Sequence, residues 1–230
     1  MEPDRAVAIV VAAGSGSRLG VEEPKAFLTI GERPIVEVAV GEALGSPAIR
    51  AVVVVAPSGT EQRMRAVLAA VAPEAVVVAG GATRQASVRA GLAATPDDAE
   101  VVVVHDAARP FAAPELFTEV VGRVVAGADA AVPVIAIPDT IKRVRDGEVV
   151  STEPRDDLVS AQTPQAFRAG LLRAYHERAH TDGQEVTDDA ALFEAAGATV
   201  VTVAGDPRNF KITTAFDLAL ADVLRGGRRG

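Results

Sequence analysis

The sequence contains no cysteine among its 230 residues. Without thiols the chain forms no disulfide, no zinc–thiolate site and no cysteine nucleophile. Aromatic residues make up only 3% of the sequence, so no aromatic platform is available on which single-stranded nucleic acid could stack. Disulfide scaffolds, thiol enzymes and proteins that bind nucleic acid by base stacking are therefore excluded.

Long hydrophobic runs and an excess of positive charge are also missing. Apolar runs such as 51–56 are far too short to span a bilayer, and segment 1–13 lacks the basic start of a signal peptide. A net charge of −8 disfavours general binding to nucleic acid or anionic membranes. We therefore expect a cytoplasmic protein with neither partner. If its substrates are anions, its positive charge must be concentrated locally.

Lysine is scarce in this chain. The 23 basic residues include only three lysines, Lys25, Lys142 and Lys211. Because arginine is used elsewhere, lysine at these positions suggests that a compact ammonium group is required there. The alternative is chance placement of a residue that binds phosphate merely as a point charge.

Short Val-rich runs alternate with Ala- and Leu-rich stretches that are compatible with helices. Continuous apolar runs are typical of parallel strands that are covered on both faces. We predict an α/β fold in which one doubly wound, mostly parallel sheet forms a single domain over 1–230, with ligands at the carboxyl ends of its strands. The predicted strands are 6–13, 51–56, 75–79, 101–105 and 130–135.

Segment 138–155 departs from this alternation. Asp146-Gly147 lies between two β-compatible runs, which is a strong signal for a β-hairpin. We expect this hairpin to project from the domain as an arm and to be a candidate for dimer contacts.

A glycine-rich turn follows the first predicted strand. Gly14 and Gly16 could bring backbone N–H groups close to phosphates. A Rossmann loop would need a third glycine where Leu19 stands, and the Gly-Lys-Ser/Thr of a P-loop is missing. The pattern G-x-G-x-R-x5-P-K, with Arg18 and Lys25, instead places two cations near one loop. The alternative is an ordinary tight turn with surface cations.

The pattern resembles the loop of the nucleotidyltransferase superfamily. Further strings follow in order along the chain: GGATRQASV at 80–88, VHDAARP at 104–110, DTIK at 139–142, QTPQ at 162–165, TDDA at 187–190 and NFKIT at 209–213. Together they resemble the family of 2-C-methyl-D-erythritol 4-phosphate cytidylyltransferases. The resemblance implies a Rossmann-like nucleotidyltransferase fold and transfer of CMP from CTP to that acceptor, in non-mevalonate isoprenoid synthesis.

The resemblance also implies roles for individual residues. Arg18 and Lys25 would stabilise charge at the α-phosphate, while Arg155 and Lys211 would hold the acceptor phosphate in line. Substrate-binding residues would be Arg109, Thr140, Arg155 and Lys211. CTP would contact Ala12, Ala13, Gly14, Gly16, Gly81, Ser87, Asp106 and Ala107.

Asp106 follows a predicted strand, where a carboxylate suits Mg²⁺ or a ribose hydroxyl. The alternative for Asp106 is a helix N-cap.

The family resemblance further implies a homodimer in which the arm of one chain delivers Thr140 and Arg155 to the site of the other. Asp189 stands where the family usually has Glu.

His176-Glu177-Arg178-Ala179-His180 matches the H-E-x-x-H pattern of zinc proteases. The helix is expected to end immediately afterwards, and no surrounding sequence is typical of such enzymes. We therefore reject a zinc role and expect both histidines to be solvated.

Two alternatives to the cytidylyltransferase remain at this stage. One is a cytidylyltransferase acting on another polyol phosphate, such as ribitol 5-phosphate, because the nucleotide motifs are shared. The other is an inactive nucleotide-binding scaffold, against which intact Arg18, Lys25, Asp106 and Lys211 argue.

Overall fold

The computed structural model describes residues 6–14, 16 and 23–226. No helix in these ranges is both long enough and apolar enough to cross a membrane. The strands are β1 Ala6–Val11, β2 Thr29–Ile30, β3 Arg33–Pro34, β4 Ile49–Ala56, β5 Val76–Ala79, β6 Val101–Asp106, β7 Ala130–Ala136, β8 Ile141–Arg145, β9 Glu148–Glu153, β10 Val159–Ala161, β11 Gln165–Arg168 and β12 Val200–Ala204. The α-helices are α1 Ile35–Leu44, α2 Glu61–Leu68, α3 Arg84–Ala93, α4 Pro114–Val125, α5 Ala169–Thr181, α6 Ala190–Ala195 and α7 Ala215–Gly226.

The main sheet runs in the order β10-β7-β11-β6-β1-β4-β5, with β12 paired to β7. Strands β1, β4, β5 and β6 are mutually parallel, and β12 is parallel to β7. Helices cover both faces of the sheet. The α/β fold class and the mostly parallel sheet are therefore confirmed, and all five predicted strands are present with small shifts at their ends.

Strand β1 shows why the apolar runs are continuous. Ala6, Ala8 and Val10 point into the core beneath α1 and α4, whereas Val7 and Ile9 point into the core beneath α3 and α5. All five residues are at most 1% exposed. Because successive side chains of a strand point to opposite faces, a sheet with two covered faces needs apolar residues at every position.

Strand β11 lies antiparallel between β6 and β7, and it was not predicted. It has four residues, Gln165–Arg168, and begins with the buried polar side chain of Gln165. So short a strand gives no periodic signal. Its position matters because it joins β6 and the strands beyond it to β7.

The predicted arm is a hairpin of β8 and β9 that forms its own two-stranded sheet. Asp146 and Gly147 both have positive φ, 52° and 85°, as a type I′ turn requires. Val144, Val149 and Val150 are each more than half exposed. The arm therefore carries apolar surface that the described part of this chain does not cover.

A smaller apolar cluster holds the segment around Ile212 against the start of α1. Ile212, Ile30 and Ile35 are fully buried there, together with Ala221 from α7. The cluster ties the end of the chain to the segment that follows the glycine-rich turn. The Ile212 N–H also donates to the Ala108 carbonyl at 2.8 Å, so the residues on either side of Ile212 are fixed close to the end of β6.

Two glycines within helices offer a test of this packing. A Cβ at Gly91 of α3 would lie 2.5 Å from Cγ2 of Ile9, whereas a Cβ at Gly122 of α4 would meet nothing within 4 Å. We expect Gly91→Ala to destabilise the fold by about 1–3 kcal/mol through overpacking. Gly122→Ala should stabilise it by about 0.5–1 kcal/mol through helix propensity. Urea unfolding of both variants measures the difference, and equal effects would contradict the close approach of α3 to β1.

Candidate active site

A cleft of about 400 Å³ opens at the carboxyl ends of β1 and β6. Such crevices are where open α/β sheets bind ligands. Its lining brings together residues from six separate stretches of the chain. Among those predicted from the sequence, the lining includes Ala12, Ala13, Gly14, Gly16, Lys25, Gly81, Ser87, Asp106, Ala107 and Lys211.

The charged side chains that line the cleft are mostly cationic. Lys25, Arg84 and Lys211 contribute three positive charges, and Asp106 contributes one negative charge. This local excess contrasts with the net charge of −8 for the whole chain. The cleft is therefore suited to a polyanionic ligand that the rest of the surface would repel.

One wall of the cleft is a loop at 80–83 that precedes α3. The Gly81 N–H donates to Oγ of Ser87 at 3.1 Å, and Oγ of Ser87 donates to the Thr83 carbonyl at 2.9 Å. The Thr83 hydroxyl accepts from the Ala86 N–H and caps the helix. Gly80 must be glycine because a Cβ there would lie 2.4 Å from Cβ of Ala13. The loop backbone is thus fixed against the end of β1.

The glycine-rich turn brings Lys25 to the opposite wall. Gly16 has φ +69°, and a Cβ on it would lie 2.9 Å from Cβ of Lys25. Nζ of Lys25 donates to the Ile212 carbonyl at 2.9 Å, which holds its ammonium next to the segment that carries Lys211. Arg18, the second cation predicted for this turn, lies outside the described residues.

Asp106 ends β6 at the floor of the cleft. Its Oδ2 accepts from Nζ of Lys211 at 2.6 Å, and its Oδ1 accepts from Nε of Arg84 at 3.1 Å. Burial tends to raise the pKa of Asp106, but the charges of Arg84 and Lys211 outweigh it and hold that pKa well below its usual range. Asp106 is therefore ionised. The N-cap alternative is wrong, since the next helix, α4, starts at Pro114 behind its own N-cap, Ala113.

Lys211 is held in position by a buried amide network. Nδ2 of Asn209 donates to the Thr163 carbonyl at 2.9 Å and to Oε1 of Gln162 at 3.2 Å. Nη1 of Arg109 donates to the Asn209 carbonyl at 2.7 Å. Arg109 is not part of the cleft lining. In this chain its guanidinium braces the segment that carries Lys211.

Thr140 and Arg155, the two arm residues predicted to bind the acceptor, are exposed. Arg155 donates to the Pro138 carbonyl at the base of the arm. Neither residue lines the cleft formed by the described residues of the same chain.

Among the described residues that line the cleft, Arg84 is the charged one for which no role was predicted. Its Nε contacts Asp106, and its Nη1 donates to Oδ2 of Asp189 at 2.7 Å. Burial tends to lower the pKa of Arg84, but the two carboxylates outweigh it and raise that pKa above its usual range. The string GGATR already contained Arg84. The missing information was that its two carboxylate partners lie 22 and 105 residues away.

The expectation that both histidines of the H-E-x-x-H string are solvated is wrong for one of them. His180 is exposed, but His176 is buried, and its Nε2 lies 2.9 Å from Oδ1 of Asp189. The α5 sequence places residue 176 on the face that carries Leu172 and Ala179, which are also buried. Its carboxylate partner comes from the segment before α6 and could not be identified by local pattern.

His105 lies next to the cleft but is fully buried. Its Nδ1 is 3.0 Å from Oγ1 of Thr163, and its Nε2 is 3.1 Å from the Arg109 carbonyl. Burial lowers the pKa of His105 to about 4. The imidazole therefore stays neutral near pH 7 and links β6 to the segments on either side of it.

A doubly wound sheet with a cationic cleft at its carboxyl edge, lined by a glycine-rich turn and two lysines, defines a nucleotidyltransferase-type site. The sequence model of the family 2-C-methyl-D-erythritol 4-phosphate cytidylyltransferase matches residues 6–225. The chain belongs to this family.

Similar proteins agree with this assignment. The 2-C-methyl-D-erythritol 4-phosphate cytidylyltransferase of Rhodococcus opacus is 46% identical over 219 residues, which are 95% of this chain and 94% of that protein. The Frankia casuarinae protein of the same name is 44% identical over 96% of this chain and 81% of its own length. The structure resembles that of 4-diphosphocytidyl-2C-methyl-D-erythritol synthase from Anaerococcus prevotii, with a TM-score of 0.86 and 30% identity over 98% and 100% of the two chains. The Thermus thermophilus cytidylyltransferase gives a TM-score of 0.78 and 36% identity over 95% of this chain and 98% of its own.

The buried His105 leads to a prediction about stability and pH. The folded pKa of about 4 lies below the usual value of 6.5, so the unfolded chain binds a proton that the folded chain does not bind between these values. The free energy of unfolding should therefore fall as the pH drops from about 7 to 5, by on the order of 2 kcal/mol from this residue.

His105→Gln should weaken this dependence, and His180→Gln, at an exposed site on α5, should leave it unchanged. Urea unfolding at the two pH values measures the slopes. An undiminished slope in His105→Gln would contradict the prediction.

Proposed function

We propose that the chain transfers CMP from CTP to 2-C-methyl-D-erythritol 4-phosphate and releases pyrophosphate. An oxygen of the acceptor phosphate attacks the α-phosphorus of CTP and forms a new P–O bond. The bond from the α-phosphorus to the oxygen that bridges to the β-phosphorus breaks, and pyrophosphate leaves with that oxygen. The observation that carries the proposal is the Asp106–Lys211 pair, which faces Lys25 in a cationic cleft within a chain of this family.

The chemistry fits the side chains that line the cleft. The attacking phosphate oxygen is already an anion, so the step needs no general base. The barrier lies in bringing anions together and in stabilising charge on the transferring phosphorus, which fixed cations accomplish. Lys25 would contact the α-phosphate, and Lys211 would hold the acceptor phosphate in line. Arg18 is assigned to the same charge as Lys25 by resemblance.

The loop at 80–83 would recognise the base. Ser87 and Thr83 fix the loop backbone. The carbonyl groups of the loop therefore cannot turn away from a base whose hydrogen-bonding edge does not match them. Cytosine presents an amino group where uracil presents a carbonyl oxygen, and an acceptor of the site facing that oxygen would remain unpaired.

We expect CTP to be turned over at least about 100-fold faster than UTP, since a buried polar mismatch costs that much or more. The measurement is pyrophosphate release with the four common nucleoside triphosphates. Each is paired with 2-C-methyl-D-erythritol 4-phosphate, ribitol 5-phosphate and a panel of sugar phosphates. Equal rates with CTP and UTP would contradict the base assignment. Preference for ribitol 5-phosphate would reassign the acceptor, and no turnover with any pair would support an inactive scaffold.

A divalent cation is part of the proposal. When bound, Mg²⁺ would neutralise charge on the triphosphate. Among the described residues no group of three or more Asp, Glu, His or Cys side chains could hold a metal, and Asp106 is the carboxylate of the cleft. One carboxylate together with substrate phosphates is a usual setting for Mg²⁺. Each oxygen of Asp106 has two lone pairs, so it can accept its present hydrogen bond and still face a cation. Asp106 therefore fits a metal that is bound together with CTP.

The proposal also includes a homodimer with shared sites. The support is the arm of residues 138–155, whose valines are exposed and whose two strands pair only with each other among the described residues. An isolated hairpin is marginally stable in water and gains from packing against another surface. A second chain would cover the arm, and Thr140 and Arg155 would complete the acceptor site of that chain.

Subunit complementation tests the shared site. Lys25→Ala and Arg155→Ala homodimers should each lose on the order of 10²–10³ in kcat/KM, the scale for removing one cation that stabilises the transition state. In a mixed dimer, one site contains both substitutions and the other site contains neither. Mixing the variants under exchange conditions should therefore restore much of the activity of one site.

Arg123→Ala, which removes an exposed cation on α4, is the control and should behave as wild type in both assays. If heterodimers form and restore nothing, each site is built from a single chain.

A further inference from the structure

A series of three ion pairs, which ends in a contact between a carboxylate and a histidine, leads from the floor of the cleft into the interior. Lys211 contacts Asp106 at 2.6 Å, and Asp106 contacts Arg84 at 3.1 Å. Arg84 contacts Asp189 at 2.7 Å, and Asp189 contacts His176 at 2.9 Å. The inner end of this series of contacts takes no part in the proposed chemistry. His176 was expected from the sequence to be solvated.

The inner end of this series of contacts is more deeply buried than the outer end. The side chain of Lys211 is 36% exposed, whereas those of Asp189 and His176 are 1% and 2% exposed. Solvent can replace a lost partner at the outer end but not at the inner end. A buried carboxylate that loses one of its partners costs far more free energy than an exposed one.

Arg84 transmits this constraint because its guanidinium is planar and is held at two points. Nε is bound to Asp106 and Nη1 is bound to Asp189, so its orientation depends on both carboxylates. Oδ1 of Asp106 in turn accepts from Arg84, which leaves Oδ2 facing Lys211. The direction of the Lys211 ammonium therefore depends on where Asp189 lies.

His176 fixes Asp189. Oδ2 of Asp189 is bound to Arg84, and Oδ1 faces Nε2 of His176, which must donate because a carboxylate only accepts. Nδ1 of His176 is buried and has no hydrogen-bond partner in the described part of the chain. The contact with Asp189 is thus the polar contact through which His176 can act on the cleft.

We propose that His176 is a positioning residue of the transferase, which orients Lys211 and Asp106 through Asp189 and Arg84. The inference rests on the proposed function, because it assigns Lys211 to the reaction. If His176 were purely structural, it would contribute packing alone. If it is a positioning residue, the hydrogen bond that its Nε2 donates to Asp189 is required.

The test compares His176→Leu, which keeps side-chain bulk without a donor, with His176→Gln, whose amide can donate from nearly the same position as Nε2. We expect His176→Leu to lower kcat roughly 10- to 100-fold, as a displaced catalytic group does, with a smaller change in KM for CTP. His176→Gln should recover most of this loss. His180→Leu, on the exposed face of the same helix, is the matched control and should leave kcat unchanged. Equal kcat losses in His176→Leu and His176→Gln would overturn the proposal, as would an unchanged kcat in folded His176→Leu.

A double-mutant cycle separates positioning from general destabilisation. If His176 acts through Arg84, adding His176→Leu to Arg84→Lys should cost much less than it costs in wild type. Fully additive losses would overturn the proposal. If His176→Leu does not fold, Asp189→Asn replaces it in the comparison, since it keeps the shape of the side chain and removes the charge held by Arg84.

A crystal structure of His176→Leu, or of Asp189→Asn if only that variant folds, gives a readout that does not depend on turnover. The Arg84 guanidinium should have moved away from Oδ1 of Asp106, and an unmoved Arg84 would overturn the inference even if no substrate were ever found. Conversely, the wild-type protein could fail to transfer CMP while Arg84 is displaced in the variant. That result would refute the proposed function but support the role of His176 in orienting Arg84.

Discussion

The pair between Asp106 and Lys211 joins segments that lie 105 residues apart, and the cleft takes its form from this contact. Without Lys211, the carboxylate at the end of β6 would keep its contact with Arg84 but would present Oδ2 to the cleft without the ammonium that now neutralises it. Without Asp106, the ammonium of Lys211 would lose the carboxylate that fixes its position in the cleft. The buried amides of Gln162 and Asn209 and the apolar cluster around Ile212 hold the second segment close enough for the pair to form.

An acidic protein that handles anionic substrates must separate its charges in space. Here the separation is achieved by burial and pairing. Several arginines far from the cleft are matched with carboxylates, as Arg50 is with Asp98 and Arg208 is with Asp206. In the part of the cleft formed by described residues, three cations accompany one carboxylate. The long-range field repels polyanions in general, while the cleft attracts one that fits, so the charge arrangement favours selectivity over indiscriminate binding.

Much of the fold followed from local pattern, because five apolar strands and the Asp-Gly hairpin are encoded in adjacent residues. The cleft residues Ala13 and Gly81 were placed by the family resemblance, and the structure shows why glycine stands at 81, since a Cβ there would lie 2.5 Å from Cβ of Ala86. The short strand β11, the contacts of Arg84 and the burial of His176 could not be predicted in this way. Each depends on a partner far away in sequence, such as Asp189 for His176. A helix pattern shows which face is apolar, but it does not show which polar group the neighbouring element will supply.

The scarcity of lysine has a consequence for labelling experiments. Reagents that acylate side-chain amines have three targets in this chain, and two of them, Lys25 and Lys211, line the cleft. In most proteins such reagents modify the surface at many points and report little. Here the extent of acylation at two positions would reflect whether the cleft is occupied. Mass spectrometry of the modified peptides could then follow ligand binding without any label on the ligand.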